Sequence, residues 1–105
     1  MLALSSDVRC NLNALTAEER TQHSKAFQQL LPTFTERHEI KDGVRLSGSA
    51  IPLPLLAEWI ARERRCCPFL QFALNLAPEQ GPATLTIRGP KGTRELLREG
   101  FARKD

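Results

Sequence analysis

Proline constrains this chain more than any other residue type. Its ring lacks an amide hydrogen and restricts the residue before it, so each proline opens a helix, ends one or marks a turn. There are seven, at positions 32, 52, 54, 68, 78, 82 and 90, and they divide the sequence into segments of about one element each. Thr16-Ala17-Glu18-Glu19 has the form of a capping box, so a helix is predicted from Ala17 to about Leu31, where Pro32 stops it. Phe34, Glu36, His38 and Ile40 alternate through the segment 33–40. Lys41-Asp42-Gly43 makes a turn, Val44-Arg45-Leu46 alternates again, and together these predict a β-hairpin. Pro52 and Pro54 suit the first turn of a second helix, which is predicted to reach about Cys67 before Pro68 ends it. Leu70, Phe72, Leu74 and Leu76 share one side of the next strand, Pro78 to Pro82 turns the chain, and Leu85 and Ile87 mark a partner strand. Gly89-Pro90-Lys91-Gly92 then leads into a last helix carrying Leu96, Leu97 and Phe101. Ahead of the first helix, Val8, Cys10 and Leu12 alternate with Arg9 and Asn11, which predicts a short strand with Cys10 facing inward.

The order βαββαββα predicts an α+β fold, a mostly antiparallel sheet with helices on one face. The helix-hairpin unit occurs twice, and a ferredoxin-like arrangement with an added strand and helix is the expected topology. A length of 105 residues suits one domain over 1–105 that folds without disulfide staples. The opening Met1-Leu2-Ala3-Leu4 run lacks the organisation of a secretory signal. The longest apolar stretch, Ala50 to Ala57, is interrupted by Pro52 and Pro54 and is too short to span a bilayer. The expectation is a cytoplasmic protein with no membrane segment. The net charge is +3, with Lys and Arg interspersed among Glu, and six aromatics without a tyrosine do not build a stacking platform. Both features argue against a nucleic-acid partner.

Cys66 and Cys67 are the unusual feature. Three cysteines placed at random in a chain of this length include an adjacent pair about one time in twenty. A free cysteine also packs simply as a small hydrophobe, which explains one buried thiol better than two in a row. The odd count and the adjacency are unlike a secreted disulfide framework and point to reduced thiols. Neighbours on a helix diverge by about 100°, but a turn forced by Pro68 unwinds Cys67 and lets both sulfurs approach one point. Glu63 falls in the apolar stripe of the same helix with Leu56, Trp59, Ile60, Cys66 and Cys67. A carboxylate there needs compensation, for which Arg20, Arg37 or a backbone amide are candidates. Thiol acidity is pulled both ways: the helix C-terminus and Glu63 oppose a thiolate, while Arg62, Arg64 and Arg65 favour one.

Soft thiolates select soft ions. Cys10 is a candidate third sulfur, and His23, on the inner face of the first helix, is either a hydrogen-bonded core group or a further ligand. The paired spacing of a structural zinc site and the Cys-x-x-Cys of a thioredoxin-type motif are both absent, and a vicinal disulfide is a strained ring. Redox chemistry through sulfenic acid stays open. Gly89-Pro90-Lys91-Gly92 lacks the Walker pattern and serves as a turn. His38 is a strand residue.

The run Glu63-Arg64-Arg65-Cys66-Cys67-Pro68-Phe69-Leu70-Gln71-Phe72 resembles a Glu-x-x-Cys-Cys-Pro-Phe-x-x-Phe signature in a family of small uncharacterised bacterial proteins. The resemblance extends to Cys10-Asn11-Leu12, to Glu19-Arg20-x-x-His23 and to Ile87-Arg88-Gly89-Pro90-Lys91-Gly92. It implies a shared α+β domain and one site drawn from Cys10, His23, Glu63, Cys66 and Cys67, without implying a substrate. Three functions are in view. The first is binding of a soft metal or metalloid ion, the one cofactor indicated, through Cys66 and Cys67 assisted by Cys10, with Glu63 and His23 as supporting or alternate ligands. The second is a thiol-dependent enzyme or redox sensor with Cys66 or Cys67 as nucleophile and Glu63 or His23 handling protons. The third is an interaction module, such as a homo-oligomer joined through an open sheet face, in which the cysteines only pack.

Overall fold

The computed structural model describes residues 10–102. Its elements are α1 (Ala17–Leu30), β1 (Glu36–Ile40), β2 (Gly43–Gly48), α2 (Leu53–Cys66), β3 (Gln71–Leu76), β4 (Ala83–Arg88) and α3 (Thr93–Ala102), with 3-10 turns over Leu12–Ala14 and Leu31–Thr33. The fold is α+β as the sequence predicts, and the prolines stand where the chain changes direction. Thr16 caps α1 reciprocally: its hydroxyl accepts from the Glu19 amide at 3.1 Å, and its own amide donates to the Glu19 carboxylate at 2.9 Å. Two amides left over at the helix start are thereby satisfied.

The four strands form one sheet in the order β1-β2-β4-β3, antiparallel throughout. It consists of two hairpins laid side by side, each preceded by a helix. A ferredoxin-like sheet interleaves its two halves as split βαβ units. Here each hairpin closes before the next helix begins, and the junction is the antiparallel β2/β4 pair, so that expectation is corrected. The β2/β4 approach is close: a Cβ on Gly43 would overlap the Ile87 carbonyl oxygen, which requires glycine there.

The predicted first strand is also corrected where it is described. Val8 lies outside the described residues, and Leu12 opens a 3-10 turn. The Asn11 side chain accepts from the Asn13 amide at 3.0 Å, while the Asn11 amide donates to the Cys66 carbonyl at 2.7 Å. Local capping by asparagine competes with extended pairing, and it docks this segment on the end of α2 instead of on the sheet.

One sheet face is covered by helices. Val44, Leu46, Ala83, Leu85 and Ile87 point into a single buried cluster with Leu30, Leu56, Trp59, Cys66, Cys67, Leu97 and Phe101, whereas Arg45 between them is exposed. Burying each large aliphatic side chain contributes about 1.5–3 kcal/mol. Cover thins toward the end of β3, where Leu74 and Leu76 are 46% and 53% exposed. Among the described residues no helix is long and apolar enough to cross a membrane.

Candidate functional site

The end of α2 sets the site. Cys66 is its last helical residue, and Cys67 leaves helical geometry at φ −126°, ψ 70° while its amide still donates to the Glu63 carbonyl at 2.8 Å. Pro68 disfavours the helical region for the residue before it. This single unwound residue turns the two side chains toward each other, leaving the Cys66 and Cys67 sulfurs 3.9 Å apart. Both residues are 1% exposed.

Cys67 is joined by a disulfide to Cys10, across 57 residues of sequence, and Cys66 is the free cysteine. The expectation of three reduced thiols is therefore corrected. Spacing hid this pairing, because the partner sits in the segment that the Asn11–Cys66 backbone bond fastens to α2. The odd cysteine is a member of the adjacent pair, and its neighbour is the bridged one.

Glu63, one turn before Cys67, is the hub. Its Oε2 lies 3.5 Å from Cys67 Sγ, and its Oε1 is hydrogen-bonded to His23 Nε2 at 2.6 Å, with the two side chains only 17% and 12% exposed. The compensating group is thus His23, not the arginines suggested by sequence. Arg20 donates to the Leu12 and Leu15 carbonyls, and Arg37 donates to that of Phe101. His23 is a partner that helical periodicity places on the inner face of α1, but its match to Glu63 across 40 residues needs the α1–α2 packing. The imidazole stacks on Trp59 with centroids 5.8 Å apart and planes at 12°. Its other nitrogen, Nδ1, is buried and finds no hydrogen-bond partner among the described residues.

Two overlapping groups of side chains that could hold a metal ion result. Cys10, Glu63 and Cys67 form one, and His23, Glu63 and Cys66 the other, with the atoms of each within 4.8 Å of one another. All five residues singled out in the sequence are brought together. The thiol acidity left open by the sequence acquires a sign: burial, and then the Glu63 charge, push Cys66 up from 9.0 to about 11, against opposing pulls from a backbone hydrogen bond and from Arg65. Arg65 is engaged elsewhere, holding Glu19 at 2.9 Å and the Ala14 carbonyl at 2.9 Å. That pair, with the Thr16 amide, lowers Glu19 to about 2.

Beside the site, a cavity of about 880 Å³ opens between α1, α3 and the sheet. Cys10, His23 and Glu63 line it at the thiol end, whereas Cys66 and Cys67 do not. No protein-family model matches this chain, and no curated protein or solved structure matches it either.

Proposed function

We propose that the protein, with its disulfide reduced, binds a soft metal or metalloid ion through Cys66, Cys67 and Cys10. Glu63 acts as a fourth or alternate ligand, and His23 orients that carboxylate. The observation that carries this reading is the gathering of three cysteine sulfurs and the Glu63 carboxylate around one unwound helix end. Thiolates are soft donors and select soft ions. Deep burial favours a complex of small net charge, since an uncompensated ion in an apolar surrounding costs several kcal/mol. Two thiolates cancel a divalent thiophilic cation, and three cancel a trivalent metalloid. The His23–Glu63 bond matches the way outer groups hold ligating side chains in register. The raised pKa of Cys66 makes binding release a proton at neutral pH, because the ligand must be a thiolate.

The test is titration of the reduced protein with zinc, copper(I), mercury(II) and arsenite beside a Cys66→Ser/Cys67→Ser double variant. At least one ion is expected to bind the wild type far more tightly than the variant, and the oxidised protein to bind weakly. Equal binding of all four by wild type and double variant removes the reading.

The Cys10–Cys67 disulfide favours a second reading, thiol-disulfide redox function. A bridged pair stands beside a third thiol and a carboxylate–imidazole couple, the elements from which proton-coupled exchange is built. Reversible change of thiol content from three to one across a physiological range of redox buffers is its expected signature. A disulfide that stays closed throughout that range contradicts it.

A further inference from the structure

Ion binding leaves the cavity beside the disulfide unaccounted for. Phe27, Trp59, Leu97 and Phe101 give it apolar and aromatic walls, and ligand sites typically combine such walls with a few convergent polar groups. His23, Glu63 and the Cys10 half of the disulfide border the space together, and Ser24, Gln28, Arg37 and Glu99 add further polar lining. Cys10 is partly exposed and Cys67 is 1% exposed, so the two ends of the same S–S bond differ in what can reach them. A second observation comes from α3. Gly100 lines the cavity inside that helix, and a Cβ placed on it would meet nothing within 4 Å. Glycine weakens a helix interior relative to alanine, and no contact here demands it. Its effect is to keep the wall of the cavity recessed.

We propose that this cavity binds a small thiol carrying an aromatic or similarly apolar body, and that the bound thiol opens the disulfide by attacking Cys10. The thiolate sulfur forms a bond to Cys10 Sγ, the Cys10–Cys67 bond breaks, and its electron pair goes to Cys67 Sγ. The proton of the incoming thiol is taken up by the Glu63–His23 couple and delivered to Cys67 Sγ, which lies 3.5 Å from Glu63 Oε2. A second molecule of the thiol then attacks the mixed disulfide. This yields the free Cys10 thiol and the symmetrical organic disulfide, so two thiols are oxidised for each protein disulfide reduced. Cys66 is a poor internal competitor for Cys67 although only 3.9 Å away, because attack would close a strained ring between adjacent residues. This assignment concerns the oxidised protein and its cavity, and it holds or fails independently of ion binding by the reduced one.

The experiment follows reduction of the oxidised full-length protein by 2-naphthalenethiol and by 2-mercaptoethanol, with rates compared per thiolate. The reaction is quenched in acid at partial conversion for peptide mapping. The naphthalenethiol rate is expected to saturate with concentration, the mercaptoethanol rate to stay linear, and the trapped adduct to sit on Cys10. Gly100→Phe, which fills the recess, is expected to lower the naphthalenethiol rate at low concentration by about tenfold or more, a loss of one decade of affinity. Gly100→Ala is expected to keep the saturation, and Gly100→Phe to lower the mercaptoethanol rate less than the naphthalenethiol rate. If Gly100→Phe does not fold by circular dichroism, Ser24→Trp, at an exposed helix position lining the same cavity, replaces it with the same expectation. An adduct on Cys67, linear kinetics with both thiols, or indifference to the blocking variant overturns the proposal.

Discussion

Alkaline pH should destabilise the oxidised protein through one residue. Cys66 is the free cysteine, is 1% exposed, and has its thiol pKa pushed from 9.0 to about 11 by burial and by the Glu63 charge. The folded protein therefore holds the thiol proton more tightly than the unfolded chain does. The resulting stability is fully present below pH 9 and is lost as pH rises toward 11. Two pH units correspond to about 2.7 kcal/mol in full, of which about 2 kcal/mol is lost between pH 8 and 10.5. The chain has no tyrosine, so no phenol titrates over this interval, and the lysines cancel when wild type is compared with Cys66→Ser. Urea denaturation of both proteins without reductant, at the two pH values, measures the difference. The wild type should lose about 2 kcal/mol more than the variant. Equal losses would refute the assignment of a buried neutral thiol beside a charged carboxylate.

Other consequences follow from the same contacts. Glu63→Gln removes the charge facing Cys66 and should lower its pKa below about 11, read as faster alkylation at pH 8; an unchanged rate contradicts the role given to Glu63. Leu85→Ala, at a fully buried position in β4, should cost about 3 kcal/mol. Leu74→Ala, 46% exposed on the same sheet face, should cost less than about 1.5 kcal/mol, and similar costs in denaturant melts would mean that the helices cover β3 more fully. Glu19, lowered to about 2 by Arg65 and the Thr16 amide, contributes stability present above pH 4.5 and lost as pH falls toward 2. The melting temperature of Glu19→Gln should accordingly fall less over that interval than that of the wild type.

Much of this fold is legible in the sequence because its signals are local. Thr16 and Glu19 announce the start of α1, Pro68 announces the end of α2, and the two-residue period of β4 marks its buried side residue by residue. Signals of that kind fail where a local competitor intervenes: the alternation of Val8, Cys10 and Leu12 has the strand period, but Asn11 uses its side chain to start a 3-10 turn. They fail again for topology, since the β2/β4 contact that sets the strand order pairs segments some 40 residues apart with no spacing of their own. The residues that gather at the end of α2 carry signals of residue type and helical stripe. Their pairing carries none. Glu63 chose His23 over two arginines that found backbone carbonyls first, and Cys67 chose Cys10 because the Asn11 amide docks on the Cys66 carbonyl.

The measurement closest to the central claim is X-ray absorption at the arsenic edge of the reduced protein carrying one equivalent of arsenite. Three sulfurs, from Cys10, Cys66 and Cys67, are predicted in the coordination sphere of the wild type, falling to two in Cys66→Ser. An oxygen-only sphere in the wild type, or a sphere the same in both proteins, would contradict a shared site at the end of α2.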